Sequence, residues 1–474
     1  MGIPKLVVAA LRGGSGKTIL SIGIVAALRD RGISISPFKK GPDYIDAGWL
    51  ALAAGRPCYN LDPFLIDQSD LIQSFQDHTT SSALAIIEGN RGLYDGTDLA
   101  GATSTAELAK LLNAPVILCL DCTKSTRTQA AVVQGCIGFD PDVAIKGVVL
   151  NRVAGARHEG SIRRSIETFC KVPVLGAIPK LNHQDFPERH MGLVPTDEHT
   201  WAKASIDAAA KMAREHLDLD AILSIANDPV LQGAVLPSSG QSGKITPLAA
   251  QTENGITCRE KPRIGIIKDS AFQFYYPENI EALTLAGAEI LFTSPLSQAE
   301  PPPVDALYIG GGFPETHAAQ LAENQVFRDR IKALALAGLP IYAECGGLMY
   351  LGESLVLDGK HYPMCGVLPL VFGFSLRPQG HGYTVVTVSG ENPYFSIGTE
   401  LKGHEFHYSH VMEWRGEEKN LAFTMKRGTG LIIGKDGACF RNVLATYTHL
   451  HALGSPEWAN AMVKKAMQFK NRSI

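Results

Sequence analysis

Two stretches of this sequence combine residue types and spacings that can do chemistry. The first is Arg12-Gly13-Gly14-Ser15-Gly16-Lys17-Thr18, set between an apolar run and a helical pattern over Ile19 to Arg29. Glycines let successive backbone N–H groups converge on phosphate oxygens, Lys17 can neutralise the β and γ phosphates of a nucleotide, and the Thr18 hydroxyl can ligate Mg²⁺. The strict phosphate-loop pattern has Gly five residues before Gly16, where Leu11 stands here. The match is therefore to the deviant form, a basic residue ahead of Gly-Gly-x-Gly-Lys-Thr, with Arg12 in place of the usual lysine. An ordinary glycine-rich turn is the poorer reading, because Lys-Thr, strand and helix are in register.

The second stretch is Pro340-Ile341-Tyr342-Ala343-Glu344-Cys345-Gly346-Gly347-Leu348-Met349-Tyr350. A cysteine at the point where an apolar strand turns into a helix through two glycines has nucleophile-elbow geometry, with N–H groups at the helix start facing thiolate and oxyanion. Its companions are Gly310-Gly311-Gly312-Phe313-Pro314-Glu315 and Tyr447-Thr448-His449-Leu450-His451. The loop at Gly312, with Gly346, can donate oxyanion N–H groups, and His449 is the expected base, with His451 close enough in sequence to be the alternative. Gly403-His404-Glu405-Phe406-His407-Tyr408-Ser409 adds a polar cluster in which His404 and Glu405 are glutamine-pocket candidates.

Further polar groups gather after apolar runs. Pro37-Phe38-Lys39-Lys40-Gly41-Pro42-Asp43-Tyr44-Ile45-Asp46 puts two lysines and two carboxylates beside one turn, which suits a polyanionic substrate and a metal as readily as a solvated loop. Glu88 opens Glu88-Gly89-Asn90-Arg91-Gly92-Leu93-Tyr94-Asp95-Gly96, and an acid directly after a buried strand completes the Mg²⁺ shell of many phosphate-loop enzymes. Asp95 is open between a substrate contact and a turn residue. Asn151 and Arg152 end another strand, where base or substrate contact competes with helix capping. Cys119 and Cys122 form a CxxC without a second pair at zinc spacing, and burial in a core strand explains them better.

The elements that must position these residues follow from the rest of the chain. Its 474 residues predict two to four domains. At 45% hydrophobic and 19% charged, it is not a disordered chain. Lys plus Arg number 44 against 47 Asp plus Glu, so no global basic field exists to hold nucleic acid or an anionic membrane, and anion binding must be local. Nine cysteines, an odd number, fit a reducing cytoplasm. No apolar run approaches the ~20 residues of a membrane helix, and the first residues do not read as an export signal. Short apolar strands at Leu6 to Ala10, Ser34 to Phe38, Ala83 to Ile87, Val116 to Leu120, Gly147 to Leu150 and Val174 to Ala177 alternate with helical stretches, which predicts a doubly wound parallel α/β domain over residues 1–230. A Gly/Ser/Pro/Thr-rich linker is expected over 231–262, and the strand-helix rhythm restarts over 263–474 with a more β-rich end.

With these pieces assembled, the chain closely resembles the cobyrinic acid a,c-diamide synthase family, through PFKKGPDYID (37–46), NLD (60–62), IEGNRGLYDG (87–96), VVLNR (148–152), PERHMGLVP (187–195), GGGFPE (310–315), AECGGLMYL (343–351) and GHEFHYS (403–409). The resemblance implies a dethiobiotin-synthetase-like ATPase half and a class I glutamine amidotransferase-like half. It implies ATP, Mg²⁺, L-glutamine and cobyrinic acid or a related tetrapyrrole as ligands, with a homodimer allowed for. Cys345 would attack glutamine with His449 as base, and ATP would phosphorylate the c and then the a acetate carboxylate so that ammonia can displace phosphate. By the same resemblance Arg12 to Thr18 and Asn151 would hold ATP. Lys40, Asp43, Tyr44 and Asp95 would meet the substrate, and Thr18, Glu88 and, second, Asp62 the metal. Many class I glutaminases carry Glu two residues after the base histidine, where His451 stands, so a dyad is the better expectation. The runner-up is the similar family that amidates nickel-sirohydrochlorin on the route to coenzyme F430. A third reading, a partition-type nucleotide switch with an inactive amidotransferase-like appendage, is opposed by the intact Cys345 and His449.

Overall fold

A computed structural model describes residues 3–180, 188–189, 192–195, 201–232, 260–432 and 434–472. The chain divides into two compact units, Met1–Ser242 and Gly243–Ile474. Most of the expected linker, residues 233–259, lies outside the described residues, as does much of 187–195; the short helix Pro229–Gln232 covers the linker's first two positions.

The first unit is built on a seven-stranded sheet of β1 (Lys5–Ala10), β2 (Ile35–Lys40), β3 (Tyr59–Leu61), β4 (Leu84–Glu88), β5 (Val116–Asp121), β6 (Ile145–Val153) and β7 (Val174–Pro179), in the order β3-β2-β4-β1-β5-β6-β7. Every pairing is parallel. Helices cover both faces, so β1, β2 and β4 are buried at every position, which is why they read as continuous apolar runs without alternation. Only β3, three residues at the sheet edge, escaped the hydrophobic pattern. The chain leaves β1 toward β2 on one side and returns to β5 on the other, so the crevice at the carboxyl ends of β1, β4 and β5 is a topological switch point, where α/β sheets bind ligands. The helix α1 (Lys17–Asp30) starts there, directly after β1.

The second unit carries a ten-stranded mixed sheet. Its parallel half runs Glu289–Thr293, Arg263–Ile267, Ala306–Ile309, Ile341–Glu344 and Val443–Thr446. Its antiparallel half continues through Lys435–Phe440, Leu421–Arg427, Gly380–Val388, Glu400–His407 and His449–Leu450. Separate hydrophobic clusters pack against it, one around Leu307, Phe327 and Leu348 and the other around Ile266, Leu283 and Trp458. Val443–Thr446 lies mid-sheet beside Ile341–Glu344, whereas His449, three residues later, sits on the edge strand. The Leu450 N–H nevertheless donates to the Glu344 carboxylate at 2.9 Å, so the sheet curls until its edge meets its centre.

Candidate functional site

In the first unit, β1 delivers the glycine loop to the switch point. Gly16 has φ +90° and leaves no room for a Cβ, which would sit 2.2 Å from Asn151 Nδ2. Asn151 donates to the Ser15 carbonyl at 2.8 Å, and the Ser15 hydroxyl donates to the Arg12 carbonyl at 3.1 Å, so the loop is braced from β6 and from within. The Arg12 side chain is exposed and reaches Asp121, which also pairs with Arg152 at 2.7 Å. Lys17 is buried, and burial together with the charge of Lys39 pulls its ammonium below the usual lysine range.

Around Lys17 the carboxyl ends of β2 and β4 assemble a charged cluster. Lys39 Nζ lies 2.6 Å from Asp46 Oδ2, 2.9 Å from Glu88 Oε1 and 3.8 Å from Asp43 Oδ2. Thr18 Oγ1 lies 2.8 Å from Glu88 Oε1 and 3.2 Å from Asp46 Oδ2. Burial would lower the Lys39 pKa, but the three carboxylates outweigh it and push it well above the usual range. Burial pushes the Asp46 carboxyl up, yet Lys39 outweighs that and holds it below the usual carboxylate range. At Glu88 burial prevails and the pKa is raised.

Consecutive strand residues face opposite sides, and the two lysines separate accordingly. Lys40 is buried away from this cluster, with Asp62 and Asp95 as its opposite charges. Asp62 Oδ1 accepts the N–H groups of Phe64 and Leu65, and Asp95 Oδ2 accepts that of Gly92 at 2.9 Å, so each carboxylate also closes a local turn. Asp43 accepts the Asp46 N–H at 2.9 Å and, with Tyr44 at the N-cap, opens the helix Ile45–Ala54. Asp46, which the sequence reading mentioned without assigning, is thus closer to Thr18 and Glu88 than Asp62 is by any bond described. The signal was its place in the first turn of the helix that follows the β2 lysines. Cys119 and Cys122 are fully buried, and burial raises both thiols to about 12, as befits core residues.

Glu88 Oε2 is buried without a hydrogen-bond partner among the described residues, while Thr18 Oγ1 and the Asp46 carboxylate stand beside it. Oxygen donors with one unsatisfied carboxylate oxygen fit a hard cation. Among the described residues no group of three or more His, Cys, Asp or Glu forms a self-sufficient metal cage. Mg²⁺ commonly takes few protein ligands and fills its shell with water and phosphate oxygens.

In the second unit, Cys345 has φ 45° and ψ −95°, the left-handed strain of an elbow, and its N–H donates to the Thr446 carbonyl at 2.8 Å. The helix Gly346–Leu351 starts at once. Burial raises the thiol pKa, the charge of Glu315 adds to this, and the Gly346 N–H opposes it. A Cβ on Gly346 would lie 2.9 Å from the Gly312 nitrogen, so both proposed oxyanion donors adjoin Cys345.

His449 is buried, with Nδ1 3.7 Å from Glu344 Oε2. Its opposite edge faces the glycine loop: a Cβ on Gly311 would lie 2.4 Å from His449 Cε1 and 3.2 Å from Nε2. His404 stacks on His449 with ring centroids 4.8 Å apart, and burial, then His449 and His451, pull its pKa well below the histidine range. Glu405, next on the strand, turns the other way, accepting the N–H groups of Thr429 and Gly430 and pairing with His407 at 3.6 Å. His451 faces Glu278 at 3.6 Å and packs on Tyr276. The sequence reading passed over Glu344, although it directly precedes Cys345, and Glu315, whose charge acts on the thiol from the end of the glycine loop.

Among the described residues no helix is long and apolar enough to cross a membrane. Residues 6–194 match the CobQ/CobB/MinD/ParA nucleotide binding domain, and residues 263–457 match the CobB/CobQ-like glutamine amidotransferase domain. The cobyrinate a,c-diamide synthase of Magnetococcus marinus is 42% identical over 457 residues, spanning 96% of each chain. That of Archaeoglobus fulgidus is 39% identical over 473 residues, 99% of each chain. That of Listeria innocua is 39% identical over 456 residues, 95% of this chain and 97% of its own.

Proposed function

The chain belongs to the cobyrinate a,c-diamide synthase family, and we propose that it amidates the a and c acetate carboxylates of cobyrinic acid, in cobalamin biosynthesis, through an acyl phosphate. It is a carbon–nitrogen ligase that takes its amide nitrogen from glutamine. The single observation that carries the finer reading is the buried elbow cysteine, Cys345, with His449 and the glycine loop around it, in a chain that also carries a phosphate loop.

In the proposed glutaminase half, 263–474, His449 Nε2 takes the Cys345 proton and the thiolate attacks the glutamine side-chain carbonyl. The Gly312 and Gly346 N–H groups face the developing oxyanion. The C–N bond breaks, the proton passes from His449 to the departing ammonia, and water hydrolyses the thioester to glutamate. The raised thiol pKa suits this order, since Cys345 rests as a thiol and needs a base at the moment of attack.

In the proposed ligase half, 1–230, a carboxylate oxygen of the macrocycle attacks the γ phosphorus of ATP and ADP leaves. Ammonia then attacks the acyl carbon and phosphate departs, leaving the amide. Activation is needed because a carboxylate is a poor electrophile. Lys17 and the N–H groups of residues 13–18 cradle the phosphates, and the Asp43–Tyr44 turn with Lys40 and Asp95 supplies the substrate contacts. Thr18, Glu88 and Asp46 would hold Mg²⁺, which when bound neutralises charge on the β and γ phosphates. The names of the relatives support cobyrinic acid over nickel-sirohydrochlorin.

The test offers each macrocycle with ATP, Mg²⁺ and either glutamine or ammonium, and reads products by mass spectrometry. Two successive carboxylate-to-amide shifts on cobyrinic acid alone are expected. Cys345→Ala should lose glutamine-dependent amidation and keep the ammonium-dependent reaction; retained use of glutamine by that variant refutes the nucleophile.

A further inference from the structure

We infer that Glu344, the residue immediately before the nucleophile, positions His449 and supplies the carboxylate that the residue two places after the base does not. The inference rests on the reading of Cys345 and His449 as nucleophile and base, and it concerns how that base is held.

The imidazole is oriented from three sides. Its Nδ1 edge faces Glu344 Oε2 at 3.7 Å, and its Cε1–Nε2 edge faces Gly311 in the loop beside Cys345. His404 stacks on one ring face, with Tyr276 Oη 3.3 Å from its Nδ1. Nδ1 toward a carboxylate and Nε2 toward the nucleophile is the orientation a general base needs, because the proton on Nδ1 fixes the tautomer whose Nε2 accepts.

Glu344 itself is anchored. Tyr308 donates to Oε2 at 3.0 Å, Tyr342 to Oε1 at 3.0 Å, and the Leu450 N–H to Oε1 at 2.9 Å. The last donor belongs to the residue after His449, so backbone and side chain tie base and carboxylate together. The 3.7 Å separation exceeds a hydrogen bond, and charging the imidazole shortens such contacts.

His451, at the position where a carboxylate would follow the base, is turned elsewhere. Its Nε2 is 3.6 Å from Glu278, its Nδ1 accepts the Leu453 N–H at 3.2 Å, and its ring packs against Tyr276. The titratable groups described beside His449 are Glu344 at its Nδ1 edge and His404 on its ring face, with His451 and its partner Glu278 beyond His404.

The experiment is the pH profile of glutaminase activity in the full chain. Glu344→Gln keeps the shape and one acceptor oxygen but removes the charge and the second acceptor. The expected result is about a 100-fold fall in kcat with KM little changed, and an acid limb displaced to lower pH, because the imidazolium loses its counter-charge. Ammonium-dependent synthesis should be kept, and His451→Gln should change kcat less than about threefold with its limb unmoved. An unmoved limb in Glu344→Gln, or a moved one in His451→Gln, overturns the inference. If Glu344→Gln does not fold, ¹⁵N-histidine NMR of the wild-type chain, assigned with His449→Gln, decides: the neutral ring must carry its proton on Nδ1, and an Nε2–H tautomer overturns the inference. Glutamine use by Cys345→Ala, in contrast, would refute the nucleophile itself whatever Glu344 does.

Discussion

Replacing Lys39 by Met tests whether the charge cluster at the switch point is an electrostatic unit. The aliphatic stem is kept, so little packing is lost, while the buried Glu88 carboxylate and the partly buried Asp46 carboxylate lose the ammonium 2.9 and 2.6 Å away. Removing one partner of a buried ion pair typically costs about 3–5 kcal/mol, since the remaining charge stays desolvated. For a unit of this size that corresponds to a fall of roughly 6–20 °C in melting temperature. The assay is calorimetry, following the transition that ATP shifts. Its pH dependence separates charge from packing. Asp46 has a lowered folded pKa, so its contribution is present above its unfolded value and lost as pH falls through the folded one. Lys39 has a raised folded pKa, so its contribution is complete below its unfolded value and lost only as pH rises through the folded one. The gap between wild type and variant should therefore be full at neutral pH and narrow as pH falls below the unfolded carboxylate value of about 4 and through the lower folded value of Asp46. Mg²⁺ should restore part of it at neutral pH. A gap under about 1 kcal/mol, or one that does not change with pH, refutes the electrostatic account.

Two further substitutions separate the halves. Lys17→Ala should abolish amidation with glutamine and with ammonium alike while glutaminase activity persists, as measured by glutamate release; undiminished synthesis refutes the phosphate-loop role. Gly311→Ala places a methyl 2.4 Å from His449 Cε1, an overpacking of about 1–3 kcal/mol, and should lower glutaminase kcat at least tenfold while sparing ammonium-dependent synthesis. Unchanged glutamine turnover would mean His449 does not work from this position.

Both chemical centres were legible in the sequence because each is carried by a contiguous strand–glycine–helix segment. At Arg12 to Thr18 and at Glu344 to Gly347, local backbone geometry creates the reactive arrangement, and residue order alone encodes it. The parallel strands were legible for a related reason: burial on both faces removes polar positions from β1, β2 and β4. Which polar side chains join each centre was not legible. Asp43, Asp46, Asp62 and Asp95 are indistinguishable as a list. Only the β3-β2-β4-β1 order brings Lys39 and Asp46 to Glu88 and Thr18, and sends Lys40 to Asp62 and Asp95. Likewise Glu344 and His449 lie a hundred residues apart and meet because a mixed sheet curls its edge strand back to its centre. Local sequence thus determined where the proposed nucleophile and the phosphate loop lie, since those depend on backbone conformation over a few residues. The tertiary structure decided their partners, since buried charges find one another through strand order and sheet curvature, which no short segment carries.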